Sequence, residues 1–247
     1  MSGHSHWAGI KHKKALVDAK KGKVFSKIAK DIILAASTGG GDPDGNIALR
    51  AAIESAKAAN MPRDNIERAV KRGTGELPGV TYETVTYEGY GPHGIAILVE
   101  VLTDSRNRTA AELRKIFSLR GGKMEGSVAW MFETKGLLTL PADAIGEDEL
   151  MELALEAGAD DMVRSDQVFE ITTSPHDFNA VKQAVLRRGL KPEVAELTRL
   201  PQALVKLEPD AARKALNLLE ELQDHDDVKN VYTNFDVPAD LAAQVEE

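Results

Sequence analysis

The sequence predicts an α+β chain built from more than one module: a helical bundle followed by α/β sandwiches. Three observations carry this expectation. Apolar residues recur with helical spacing up to residue 72. Short strand-like runs alternate with helical segments from about residue 81 onward. Between them lies Thr74-Gly75-Glu76-Leu77-Pro78-Gly79, a linker by composition.

The first helix is expected over residues 13–37. Phe25, Ile28, Ala29, Ile32, Ile33 and Ala36 form one apolar stripe, and at 100° per residue Lys20, Lys23, Lys27 and Lys30 fall opposite it as a basic ridge. Gly22 weakens this helix by about 1 kcal/mol relative to Ala. After the loop from Gly39 to Gly45, a second helix is expected over 46–59, with Leu49, Ala52, Ile53 and Ala56 inward. It stops before Pro62, because proline disfavours helical geometry in the preceding residue. Pro62 then opens a third helix ending near Arg72, with Asp64 at its positive end and Gly73 as a cap. Strands are expected over 81–88 and 95–103 around a glycine-rich turn. A helix over 109–119 follows, with Thr109 and Glu112 at capping-box spacing, and then strands over 128–132 and 137–140. Helices over 147–157, 177–188 and 210–222 alternate with strands over 168–172, 194–200 and 228–235.

The 247 residues are enough for two to three small cores, and the absence of cysteine removes disulfides and thiolate chemistry. The longest apolar runs are far short of the ~20 residues a membrane span needs. The basic N-terminus lacks the apolar core of a secretory signal, and a cytoplasmic protein without membrane contact is expected. The net charge of -8 conceals a division. Residues 1–75 hold 14 Lys/Arg against 7 Asp/Glu, whereas the remaining 172 hold 17 against 32. Such asymmetry points to a polyanion partner for the first part.

Several motifs carry less than their letters suggest. Gly89-Tyr90-Gly91-Pro92-His93-Gly94 has dinucleotide-fingerprint spacing, but a strand rather than a helix follows it, so a hairpin loop is expected. Asp42-x-Asp44-x-Asn46 begins like a calcium loop but lacks the central glycine and the terminal glutamate. Gly39 to Gly41 has no Gly-Lys-Ser/Thr after it. His4, His6 and His12 have no ordered fourth ligand for zinc, although Ser2-Gly3-His4 after loss of Met1 would suit Cu(II) or Ni(II) in a test tube. His93, His176 and His225 stand apart, no acid–base pair is singled out, and neither enzyme activity nor a cofactor is expected.

The basic surface is the strongest signal. Lys11, Lys13, Lys14, Lys20, Lys21, Lys23, Lys27 and Lys30 are joined by Arg50, Arg63, Arg68, Lys71 and Arg72. Phosphate neutralisation needs many cations on one surface and little exact geometry. Trp7 either stacks on an unpaired base or pins the arm to the body. Arg106 and Arg108 are further candidates for phosphate, or serve helix entry.

At these residues the chain resembles the YebC family. The resemblance is carried by Met-Ser-Gly-His-Ser-His-Trp-Ala-Gly-Ile-Lys-His-Lys-Lys at the start, Lys23-Val24-Phe25-Ser26-Lys27, Asn60-Met61-Pro62-Arg63-Asp64-Asn65-Ile66, Tyr87 to Gly94, Thr103-Asp104-Ser105-Arg106-Asn107-Arg108-Thr109 and Gly126 to Phe132. It implies three domains: a helical bundle over 1–78, an α/β domain from 79–134 joined with 205–247, and an inserted α/β domain over 135–204, both of them ferredoxin-like. Members are named as probable transcriptional regulators, and relatives act on ribosomes, as a mitochondrial translational activator and as bacterial factors easing stalls at proline-rich stretches. The resemblance therefore implies a translation factor contacting ribosomal RNA, and a monomer is expected. The alternative is a transcriptional regulator that places its third helix, with Arg63, Asn65 and Arg68, in a duplex DNA groove.

Overall fold

The computed structural model describes residues 21–165 and 168–236. In chain order the elements are α1 (Lys21–Gly39), α2 (Ile47–Ala58), α3 (Arg63–Gly73), β1 (Glu83–Tyr90), β2 (Ala96–Thr103), α4 (Arg106–Leu119) and β3 (Phe132–Pro141). Then follow α5 (Glu147–Glu156), β4 (Ala159–Arg164), β5 (Val168–Thr173), α6 (Phe178–Arg187), β6 (Val194–Pro201), β7 (Val205–Lys206), α7 (Pro209–Asp224), β8 (Val228–Thr233) and β9 (Phe235–Asp236). They form two compact units, residues 21–127 with 213–231, and residues 128–165 and 168–212 with 232–236.

The first unit opens with the expected three-helix bundle. The apolar stripe of α1 buries Ile32, Ile33, Ala35 and Ala36 in one cluster with Leu49 and Ala56 of α2 and Ile66 and Ala69 of α3. Asn46 starts α2: its Oδ1 accepts the Leu49 N–H at 3.0 Å, and its amide donates to the carbonyls of Ala35 and Gly40, each at 2.8 Å. Asp42 accepts the Asp44 N–H at 3.0 Å. The calcium-like letters thus build a turn and a helix cap. Gly73 is not a cap beyond the helix, because it is the last helical residue and Thr74 caps it. Its smallness serves the helix crossing: a Cβ there would lie 2.6 Å from the Ile33 carbonyl oxygen and 2.6 Å from the Ala36 Cβ.

The same unit continues into an antiparallel hairpin, with Glu83 opposite Thr103 and Tyr90 opposite Ala96. The glycine motif forms its loop, with His93 and Gly94 in the left-handed region. β2 lies between β1 and β8 and is buried almost throughout. The helix expected from Thr109 begins three residues earlier, with Ser105 at its cap. Thr109 sits one turn inside and fully buried, because its hydroxyl reaches Asp227 at 2.7 Å.

The second unit contains the strand order β4-β5-β3-β6 with β-α-β-β-α-β connectivity, a ferredoxin-like sheet. Leu138, Leu140, Phe169, Ile171 and Met162 on one face pack with Leu150 and Ala154 of α5 and Phe178, Val181 and Val185 of α6. The strands expected over 128–132 and 137–140 are a 3-10 turn at Ala129–Met131 and one continuous strand, β3. β4 escapes the sequence pattern because it is an edge strand, Ala-Asp-Asp-Met-Val-Arg, in which only Met162 is buried. Before α6 the Ser174 hydroxyl donates to the Asp177 carboxylate at 2.7 Å and accepts the Asp177 N–H at 3.1 Å. β7 and β9 add a short parallel pair.

Gly73→Ala should cost about 1–3 kcal/mol, because its methyl group meets backbone rather than a yielding side chain. Gly22→Ala has open space around the new methyl and should stabilise by about 0.5–1 kcal/mol. Urea denaturation of the two variants checks the opposite signs.

Candidate nucleic-acid interface

Lys23, Lys27 and Lys30 stand at i, i+4 and i+7 on α1 and therefore share one side of the helix. That side does not face solvent freely, which corrects the expectation of an open ridge. Lys23 donates to the Asp224 carbonyl at 3.1 Å, Lys27 to the Gln223 carbonyl at 2.8 Å and Lys30 to the Asp226 carbonyl at 3.0 Å. These acceptors are the end of α7 and the turn after it. A helix C-terminus carries partial negative charge, and the last turn of α7 has no basic residue of its own. The α1 lysines supply the cations it lacks. Lys229 adds a further link, with its ammonium 2.6 Å from Asp31.

The anchor of this contact is Asp227, whose side chain is 5% exposed. Lys30, itself 12% exposed, reaches its Oδ1 at 2.6 Å. Its Oδ2 accepts from Arg108, from the Thr109 hydroxyl at 2.7 Å and from Thr103 at 3.3 Å. Burial alone would raise the Asp227 pKa; the hydrogen bonds from Lys30, Thr109 and Arg108 outweigh it and hold the carboxyl down at about 2. Lys27 moves the other way. Burial takes its ammonium down to about 8, repulsion from Lys23 and Lys30 adds to this, and Asp224 and Asp226 oppose it.

Arg108 also lies 3.1 Å from Asp104 and 3.8 Å from Glu112. Arg106 pairs with Glu83, and its carbonyl accepts the Tyr87 hydroxyl at 2.9 Å. Both arginines offered as phosphate candidates are thus engaged within the molecule. Glu112, His225 and Asp227 bring two carboxylates and an imidazole together. Their acceptor atoms already serve protein hydrogens. His225 Nδ1 accepts the Asp227 N–H at 3.1 Å, which leaves its proton on Nε2 to donate to Glu112 at 3.0 Å. The cluster reads as part of the ion-pair network.

The remaining candidates divide into engaged and open groups. Arg50 donates to the carbonyls of Pro43 and Asp44 at 3.0 and 2.8 Å. Arg63 pairs with Glu67 at 2.7 Å, and Arg68 donates to Asn65 and to the Asp64 carbonyl. Lys71 and Arg72, at the end of α3, are exposed, and among the described residues no carboxylate forms an ion pair with either. Trp7, Lys11, Lys13, Lys14 and Lys20 lie outside the described residues, as does the side chain of Lys21. The residue that sequence reasoning missed is Asp227. Its signal was the acidic turn Asp224-His225-Asp226-Asp227 directly after a helix without a basic end.

A basic helical bundle ahead of mixed α/β structure with a ferredoxin-like sheet defines the class. The chain belongs to the TACO1/YebC family: residues 5–76 match the TACO1/YebC protein N-terminal domain, and residues 82–235 match the TACO1/YebC second and third domain. It is 54% identical over 244 residues to a protein of Dictyoglomus turgidum named "Probable transcriptional regulatory protein", covering 98% of each chain. A protein of Desulfatibacillum aliphaticivorans with the same name is 55% identical over 246 residues, covering 99% of this chain and all of that one. The crystal structure of a conserved hypothetical protein from Aquifex aeolicus matches with a TM-score of 0.81 at 46% identity, covering 95% of this chain and 98% of that chain.

Asp227→Asn should destabilise by about 3–5 kcal/mol, since it removes the charge that balances Lys30 and Arg108 inside the network. The folded carboxyl is depressed from 3.8 to about 2, so its contribution is complete above pH 3.8 and disappears as the pH falls through 2. Acid denaturation should therefore steepen in that window, and the Asn variant should lose the extra slope. For Lys27 the sign is reversed: the folded state releases its proton near pH 8 and the unfolded state near 10.5. Stability should rise with pH across that interval and not do so in Lys27→Met. An NMR titration of the Lys27 side chain should show a midpoint near 8.

Proposed function

We propose that the chain is a non-enzymatic, nucleic-acid-binding regulator of gene expression whose target is RNA on the ribosome. It acts as a monomeric cytoplasmic translation factor that eases ribosomes stalled at proline-rich stretches. The binding surface comprises the basic stretch with Lys11, Lys13, Lys14, Lys20 and Lys21, Trp7 as a stacking group, Arg50 of α2, and Arg63, Arg68, Lys71 and Arg72 of α3. The chain works as three parts: residues 1–78 bind nucleic acid, while 79–134 with 205–247 and the insert 135–204 carry the acidic body. The observation that carries this reading is the excess of 7 positive charges in residues 1–75, and the exposed Lys71 and Arg72 at the end of α3 agree with it. A dispersed basic surface with one aromatic suits irregular RNA, where backbone charge and stacking dominate.

Duplex DNA is the second reading, favoured by the relatives' name of probable transcriptional regulatory protein. It would use α3 in a major groove. Against it, the groove-facing candidates Arg63, Asn65 and Arg68 are tied up along their own helix, whereas base readout needs such groups free for bidentate contacts.

Sedimentation of tagged protein through a sucrose gradient at moderate salt distinguishes the two. Co-migration with ribosomes is expected, weakened in Lys71→Gln/Arg72→Gln. In that variant the salt slope of RNA binding should fall by about 0.7 per lost phosphate contact. Absence from ribosomes combined with tight, sequence-selective duplex binding would establish the DNA reading instead.

A further inference from the structure

The contact between α1 and the turn after α7 has the chemistry of a phosphate site already filled by the protein itself. Three ammonium groups in a row meet a row of oxygens, the carbonyls of Gln223, Asp224 and Asp226 and the carboxylates of Asp226 and Asp227. A nucleic-acid backbone offers the same ligand, anionic oxygens at regular intervals, and holds it with the same tolerance of geometry. The two ends of the contact differ in strength. At Lys30 the ion pair with Asp227 is buried and close, at 2.6 Å. At Lys23 it is open: its ammonium is 3.9 Å from the Asp226 carboxylate, with the two side chains 50% and 73% exposed. Exposed pairs of this kind are weak and are screened by salt.

We propose that this contact is an autoinhibitory clasp: residues 223–226 occupy Lys23 and Lys27 in place of an RNA backbone, and RNA displaces them while the Lys30–Asp227 pair stays closed as the pivot. The inference rests on the RNA-binding reading above and adds how that site is regulated. Two features of the closed state favour release at this end. Burial lowers the Lys27 pKa to about 8, so its ammonium is held there against a desolvation cost that opening relieves. Beside it, the Gln223 side-chain oxygen is buried with no hydrogen-bond donor among the described residues. Opening would free two adjacent cations within the part of the sequence that carries the positive excess, residues 1–75. The closed clasp hides them from polyanions that do not fit the remainder of the surface.

The test is a double-mutant cycle read by fluorescence anisotropy with a 20-nucleotide oligouridylate. Asp224→Lys/Asp226→Lys opens the clasp at exposed positions and leaves Asp227 intact, and lysine at a helix C-terminus is compatible with folding. Asp226→Asn is a milder second variant, and thermal melts confirm that each is folded. Lys23→Gln/Lys27→Gln should weaken wild-type binding about twofold but binding by the opened protein about tenfold, and the opened protein should have a salt slope larger by about 1.4, two phosphate contacts' worth. Glu54→Lys/Glu125→Lys adds the same charge elsewhere and should tighten binding with no such coupling to Lys23 and Lys27. Equal losses in the closed and opened backgrounds would overturn the clasp and leave RNA binding standing. If no variant binds the oligouridylate, the RNA-binding reading falls and the clasp with it.

Discussion

The carboxylate of Asp227, on the turn after α7, sits among groups that come from three places in the sequence: Lys30 on α1, Thr103 at the end of β2, and Arg108 and Thr109 on α4. A buried carboxylate with fewer partners would raise its pKa and take up a proton. Here two cations and two hydroxyls surround it, and the charge is retained. Because each partner is fixed on a helix or strand, satisfying the one acid also sets where those elements stand. The start of α4 shows the effect: the helix begins early enough to bring Thr109 inside, where its hydroxyl can reach the acid.

The same constraint reverses the meaning of the basic helix. Lys23, Lys27 and Lys30 lie opposite the apolar stripe of the bundle, as their spacing requires, and in an isolated bundle they would face water. In the folded chain they close on the negative end of α7. That helix ends in acids and has no cation in its last turn, an arrangement unfavourable by itself and balanced by the lysines. The positive excess of the first 75 residues and the negative excess of the rest are therefore partly consumed against each other at one contact.

The bundle was legible in the sequence because its signals are local. A 3.6-residue stripe, Asn46 before the second helix and Pro62 before the third each act within a few residues. The hairpin around the glycine motif was legible for the same reason. Gly73 was read correctly as necessary but for the wrong cause, since its neighbour Ile33 is forty residues away and only the helix crossing reveals the close approach. The partners of the lysines were beyond any periodicity argument: Lys27 and Gln223 are separated by 196 positions. β4 was missed because an edge strand with two aspartates and one buried residue has no alternating pattern to detect.

Charge composition alone does not locate a polyanion surface. At physiological ionic strength, fields between exposed charges fade within about 8 Å, so an acidic majority elsewhere in the chain does little to cations it does not touch. What decides availability is contact. By that criterion Lys23, Lys27, Lys30, Arg106 and Arg108 are already matched by acceptors, Arg50, Arg63 and Arg68 are held along their own loops and helix, and Lys71 and Arg72 are left exposed at the end of α3. A polyanion approaching the described surface would meet that pair without displacing anything. It would gain the α1 lysines only by competing with the turn after α7. First contact and full contact are thereby separated into two steps of different cost, and such a separation favours a long, multiply charged partner over a small anion.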